Sequence, residues 1–198
     1  MQTLFPVGPV LPEGFTLIPD FLTEGEEQHL MDEVSKVALH PMRFQGYEAK
    51  RKVASFGYDW SFEKRSLSKG KEIPSEFFFL IQKVGRKLSL EPDRFVELLV
   101  TEYPIGSVIN WHRDAPPFGL IAGISLFSDC TFRLRPYEKS KQGRSSIISF
   151  PLKRRSLYTM DGEARSAWEH SISPMKAVRY SITLRTVKEQ ISRYMKTH

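Results

Sequence analysis

Arg179-Tyr-Ser-Ile-Thr-Leu-Arg-Thr-Val187 (RYSITLRTV) reads as a β-strand with two unlike faces. Successive strand side chains point to opposite sides, so Arg179, Ser181, Thr183 and Arg185 share one face and Tyr180, Ile182 and Leu184 the other. The second face suits a core. The first lines up two guanidiniums with two small hydroxyls. Short β-rich runs of the same kind precede it: FVELLVTEY (95–103), LIAGISLF (120–127), CTFRLR (130–135), SSIISF (145–150) and SLYTM (156–160). Turn residues separate them, and strands at this spacing predict a sandwich or barrel over about residues 93–188.

The N-terminal part, about residues 12–92, has another pattern. A proline-rich lead-in fills the first eleven residues, and Phe15–Ile18 is a short strand candidate. Thr23 with Glu26 three positions later forms a capping box, and Leu30, Met31, Val34 and Val37 follow at helical spacing, which predicts a helix over 24–38. A second helix is expected from about Ser75, after Pro74, burying Phe78, Leu80, Ile81, Val84 and Leu88. Between them, residues 42–66 mix basic and aromatic side chains, as in strands joined by an exposed hairpin or lid. The fold class expected is mainly β with flanking helices (α+β), in one domain of 198 residues.

The composition is 40% hydrophobic and 12% aromatic, enough for a packed core. A formal charge of +6 is a mild pointer to a polyanionic partner. One cysteine, Cys130, excludes an internal disulfide and suits a reducing compartment. The first residues lack the basic and apolar pattern of a signal peptide, and no apolar run approaches the roughly 20 residues of a membrane span. A cytoplasmic monomer with no membrane contact is the expectation.

Trp111-His112-Arg113-Asp114 places an imidazole and a carboxylate two residues apart, on one side of an extended strand. His170 lies in another strand-like segment, Trp168-Glu-His-Ser-Ile-Ser173. Two histidines and a carboxylate make the facial triad of non-haem Fe(II) oxygenases, with three adjacent coordination positions left open. Zinc hydrolysis could use the same donors, but the sequence has neither H-E-x-x-H nor paired cysteines. The guanidinium of Arg179 suits bidentate capture of a carboxylate, such as the far end of 2-oxoglutarate. A basic, solvated strand face is the competing explanation.

Taken in order, EYPIGSVINWHRD (102–114), GISLFS (123–128), KRRSLYTMDGEARSAWEHSI (153–172) and RYSITLR (179–185) resemble the AlkB family of 2-oxoglutarate dioxygenases. RKVASFGYDWS (51–61) resembles the family's segment over the active site, and the Arg179-x5-Arg185 spacing is characteristic of AlkB-type enzymes. The resemblance implies a double-stranded β-helix, or jelly roll, holding Fe(II) through His112, Asp114 and His170. It implies that Tyr103, Arg179, Ser181 and Arg185 bind 2-oxoglutarate. Thr101 and Ser181 replace asparagines of the best-known members. Ala115-Pro116-Pro117 stands where base-repairing members often carry a second acid.

The implied reaction is dioxygen-dependent oxidative demethylation of alkylated DNA or RNA, releasing succinate, carbon dioxide and formaldehyde. Arg51, Phe56, Tyr58, Trp60 and Arg133 are the candidate substrate contacts, with Lys52 and Lys64 as further phosphate partners and Arg135 beside Arg133. Lys153, Arg154 and Arg155 read as a solvated turn, and Trp168 as a wall of the pocket or a core residue. Two alternatives stay open: the same chemistry on a protein side chain or small molecule, and a non-catalytic nucleic-acid-binding module of this fold.

Overall fold

The computed structural model describes residues 9–44, 46–61, 64–189 and 191, so most of the proline-rich lead-in lies outside the described residues. In chain order the elements are β1 (Phe15–Ile18), α1 (Glu24–Ser35), β2 (His40–Phe44), β3 (Tyr47–Ser61), β4 (Ser66–Lys69) and α2 (Phe78–Leu88), the last entered through a 3-10 turn at Ser75–Phe77. There follow β5 (Phe95–Tyr103), β6 (Ile109–His112), β7 (Phe118–Leu126), β8 (Cys130–Pro136), β9 (Ile148–Leu152), β10 (Leu157–Met160), α3 (Gly162–Ser166), β11 (Trp168–Ile172) and β12 (Arg179–Val187).

The strands form two antiparallel sheets. The larger runs β1-β10-β7-β12-β5-β3-β2, with β4 paired to β3, and the smaller runs β6-β11-β8-β9. The alternation of β12 decides how the layers stack. Ile182 and Leu184, with Leu98 and Val100 of β5 and Ala122, Ile124 and Leu126 of β7, pack against Leu30 and Val34 of α1 and Leu80, Ile81 and Val84 of α2. A second apolar cluster, including Phe132, Leu134, Phe150, Leu152, Tyr158, Met160 and Ile172, lies between the sheets. The result is a jelly roll with its two longer helices behind the larger sheet.

The capping box forms as expected: Thr23 Oγ1 accepts from the Glu26 N–H at 3.2 Å, and Glu26 accepts from the Thr23 N–H at 2.8 Å. The helix is shorter than the expected 24–38. The N–H groups of Lys36 and Val37 bond back to Glu33 and Val34, three residues away, so its last turn tightens and stops. In α2 the buried stripe is Phe77, Leu80, Ile81 and Val84, spaced i, i+3, i+4, i+7. That spacing turns Phe78 outward, correcting its assignment to the buried side.

Lys153, Arg154 and Arg155 do more than solvate a turn. Lys153 pairs with Asp129, Arg155 with Asp20 and Glu24, and Arg154 with the buried Glu27 of α1. Glu27 also accepts the Phe127 N–H at 2.8 Å. The turn therefore clasps α1 to the jelly roll.

The segment expected as a lid is partly built into the larger sheet. β3 pairs with β5 from Lys52↔Glu102 to Gly57↔Glu97 and then with β4, so it passes from the sheet into a hairpin. The change of partner falls at Gly57, whose φ is 84° and where a Cβ would overlap the Val96 carbonyl. Gly57→Ala therefore combines a left-handed backbone with a clash. Its expected cost is about 2–3 kcal/mol of stability, read from the midpoint of urea unfolding. An unchanged midpoint contradicts this account of the strand.

Candidate active site

β6 and β11 lie side by side with His112 and His170 as direct partners, and β8 sets Leu134 beside His170 on the other side. Direct partners across an antiparallel pair project to the same face. The two imidazoles accordingly face the interior together, their ring centroids 4.2 Å apart. Phe132 stacks beneath His170 at 5.6 Å with an interplanar angle of 3°. Asp114 follows β6 directly, and the donor atoms of His112, Asp114 and His170 all lie within 4.8 Å of one another.

Their surroundings keep these groups in metal-binding form. His112 Nδ1 lies 2.9 Å from the Asn110 carbonyl; donating there leaves Nε2 with its lone pair free. Burial and the neighbouring His112 push His170 down to about 3, against the upward pull of Asp114. Burial opposes the charge on Asp114, but Arg185, His170, His112 and Arg165 outweigh it and hold the carboxyl well below the usual range. Arg165 also donates to the carbonyls of Asp114, Ala115 and Phe118, fixing the loop that carries the carboxylate.

The site face of β12 meets β5 in the register Arg179↔Tyr103, Ser181↔Thr101, Thr183↔Leu99 and Arg185↔Glu97. Arg185 spans two carboxylates, with Nη1 2.7 Å from Glu97 and Nη2 3.1 Å from Asp114. Glu97 is 3% exposed and also accepts from Ser55 Oγ at 3.2 Å. Arg179 differs. It is 1% exposed, its Nε donates to Ser125 Oγ at 3.1 Å, and its Cζ lies 4.8 Å from the Tyr103 ring centre. No ion pair among the described residues includes it; its Nη1 has no hydrogen-bond partner, and Cys130, Tyr103 and Tyr158 are its ionisable neighbours. A buried guanidinium without a counter-ion is costly, so this pocket fits an anion. The donor set of the triad, with both arginines on one strand face, thus fits a divalent iron and a dicarboxylate.

A cavity of about 770 Å³ opens over the triad. Tyr103, Thr101, Tyr158, Thr183 and Arg185 reach its lining, whereas Arg179 and Ser181 sit behind them. Ser181 Oγ lies 3.2 Å from the Tyr103 hydroxyl. Of the candidate substrate contacts, Arg51, Phe56 and Trp60 line the cavity. Arg51 leans on Met42, with Nη2 2.7 Å from the sulfur.

Phe56 also packs against the cluster on the helix side, because Val53 and Ser55 take the site face of β3. Two others need correction. Tyr58 lines a separate groove with Ile73, Phe78 and Ile81. Arg133 faces away from His170, since Phe132 and Leu134 take the inner face of β8; its guanidinium lies 5.0 Å from the Trp111 ring, with Arg135 at 4.5 Å from the same ring. Lys52 pairs with Glu102 at 3.1 Å, Lys64 is exposed, and Trp168 packs on the inner cluster.

Glu97, Arg165 and Tyr158 were not anticipated. Glu97 had a signal, since it shares strand parity with Thr101 and Tyr103. Arg165 and Tyr158 had none, because their roles depend on a loop and on a neighbouring glycine.

Comparison with known proteins agrees with this geometry. The family model for the 2OG-Fe(II) oxygenase superfamily matches residues 14–185. An Arabidopsis thaliana protein named "Alkylated DNA repair protein ALKBH8 homolog" is 31% identical, over 88% of this chain and 58% of its own length. A Mus musculus protein named "tRNA (carboxymethyluridine(34)-5-O)-methyltransferase ALKBH8" is 28% identical, over 84% of this chain and 25% of its own. The chain thus spans a little over half of the first relative and a quarter of the second. The solved structure of OsALKBH1 superposes with a TM-score of 0.72 at 14% identity, covering 90% of this chain and 99% of that one. The chain therefore belongs to the 2OG-Fe(II) oxygenase superfamily, as an AlkB-like dioxygenase that uses Fe(II) and 2-oxoglutarate.

Proposed function

We propose that this dioxygenase oxidises an alkyl group on a nucleobase of RNA or DNA, with His112, Asp114 and His170 as iron ligands and Arg179 as the anchor of 2-oxoglutarate. The observation that carries the assignment is the pairing of a His-Asp-His cluster with a buried guanidinium that has no carboxylate partner among the described residues. Bound Fe(II), with 2-oxoglutarate and dioxygen, supplies the power to hydroxylate a substrate C–H bond as the keto acid becomes succinate and carbon dioxide; a hydroxylated N-methyl group then leaves as formaldehyde.

The chain's own residues supply placement. His112, Asp114 and His170 would hold the iron from the strand side, which would leave positions toward the cavity for other ligands. Arg185 holds Asp114 in position from behind, and Glu97 takes up the rest of its charge. Arg179, with Tyr103 and Ser181 beside it, receives the distal carboxylate. Phe132 and Ile172 keep the inner wall apolar and exclude water from it.

Several features favour a nucleic-acid substrate. Arg43, Arg51, Lys71 and Arg113 stand among the residues around the cavity, where phosphates of a bound strand would meet them. Trp60 at its wall offers a face for a base drawn out of a stack. The names of the two relatives refer to alkylated DNA and to tRNA, which agrees with a nucleobase target. Ala115 and the two prolines after it put no acid beside Asp114, a feature that favours a base with no charge to neutralise.

Two predictions follow from these roles. Incubating Fe(II)-loaded protein and 2-oxoglutarate with methylated RNA and DNA oligonucleotides and with methylated peptides should yield formaldehyde and extra succinate with an oligonucleotide only. Affinity for that oligonucleotide should fall steeply with salt, and turnover on the peptide alone contradicts the substrate class. Glu97→Gln, which leaves Arg185 facing Asp114 alone, should weaken Mn(II) binding by about 10- to 100-fold. Calorimetric titration of that variant at parental affinity contradicts the supporting role given to Glu97.

A further inference from the structure

Tyr158 lies in β10, 7% exposed, at the inner edge of the cavity. Its ring stacks on Phe15, with centroids 6.1 Å apart and planes 7° from parallel, and touches Phe132 at 5.1 Å. These contacts fix the ring from one side. From the other it rests on Gly123, its direct partner on β7. A Cβ at Gly123 would overlap the ring and stand 2.5 Å from the hydroxyl oxygen. The bare glycine is therefore what lets the phenol lie across β7 toward β12.

What it reaches is set by the register. Gly123 pairs on its far side with Thr183, which lies between Ser181 and Arg185 on the site face of β12. The hydroxyl thus sits over Gly123, on the side facing Thr183 in the row from Arg179 to Arg185. Arg179 and Tyr103 are among the charged and phenolic groups that sense it. Tyr103 is paired with Ser181, and Ser125 accepts from Arg179. The Tyr158 hydroxyl forms no hydrogen bond among the described residues, and its side chain borders the cavity.

We propose that Tyr158 is a positioning residue for the co-substrate, its hydroxyl donating a hydrogen bond to the distal carboxylate of the 2-oxo acid as that carboxylate reaches Arg179. A carboxylate reaching Arg179 from the cavity would meet the phenols of Tyr103 and Tyr158, which both line it and neighbour the guanidinium, and a neutral phenol is a good donor to it. Burial keeps the phenol in that neutral form by pushing its pKa up. The inference rests on the assignment of Arg179 made above.

The test is calorimetric titration of Mn(II)-loaded protein with 2-oxoglutarate and, separately, with 2-oxobutyrate, which has the same chelating end and no distal carboxylate. Tyr158→Phe keeps the ring and removes only the hydroxyl. It should bind 2-oxoglutarate about tenfold more weakly, with 2-oxobutyrate affinity and melting temperature unchanged. Equal weakening toward both acids reduces Tyr158 to a structural role and overturns the proposal. Arg179→Met run in parallel separates the two claims. If Arg179→Met weakens 2-oxoglutarate binding and Tyr158→Phe does not, the tyrosine assignment falls alone; if Arg179→Met has no effect, the arginine assignment falls first and the tyrosine with it.

Discussion

Arg185 sits between Glu97 of β5 and Asp114 beyond β6, and this bridge joins the two halves of the jelly roll at the metal site. Asp114 lies in a short connection, with no ladder hydrogen bonds of its own to aim the carboxylate. A guanidinium held from behind by a second carboxylate supplies that aim, and its planar fork fixes direction as well as distance. The same pairing solves an electrostatic problem. Burial raises the pKa of Glu97 against the pull of Arg185 and opposes ionisation of Asp114, while the arginine between them stays charged. Removing Arg185 would leave two buried carboxylates with no cation between them, in the interior where uncompensated charge costs most.

The larger sheet makes that bridge possible by keeping its two faces distinct. Ile182 and Leu184 go into the helix-side core, which locks the register of β12, and the locked register puts Arg179 and Arg185 on the open side. A slip of one residue would reverse both assignments at once. The clasp of Glu27 with Arg154 and the Phe127 N–H holds α1 against the sheet, so the core behind the site is closed. Packing and the candidate site thus meet in one strand: its apolar residues anchor it, and its polar residues face the triad side.

Much of this was legible in the sequence because it depends on local periodicity. His112 and Asp114, the capping box at Thr23, and the alternation from Arg179 to Arg185 all follow from residue types at fixed spacing. The errors arose where the outcome depends on a partner strand. Tyr58 lies on a strand that changes partner at Gly57, and composition alone does not reveal which side of the pleat faces the triad. Arg133 points outward because β8 presents Phe132 and Leu134 beside His170, a register fixed by β11. Tyr158 was unreadable for a similar reason, since its position depends on Gly123 of another strand. The residues assigned to iron and 2-oxoglutarate sit at regular positions; those that would choose the substrate lie on segments whose facing is set by tertiary packing.

The central claim is that His112, Asp114 and His170 hold an iron to which 2-oxoglutarate chelates. Its most direct test is anaerobic titration of Fe(II)-loaded protein with 2-oxoglutarate, following the weak visible charge-transfer absorption of the chelate. The account predicts a saturable band in the parent protein and none in His170→Ala under the same iron loading. A parent protein that binds iron but develops no band would contradict it.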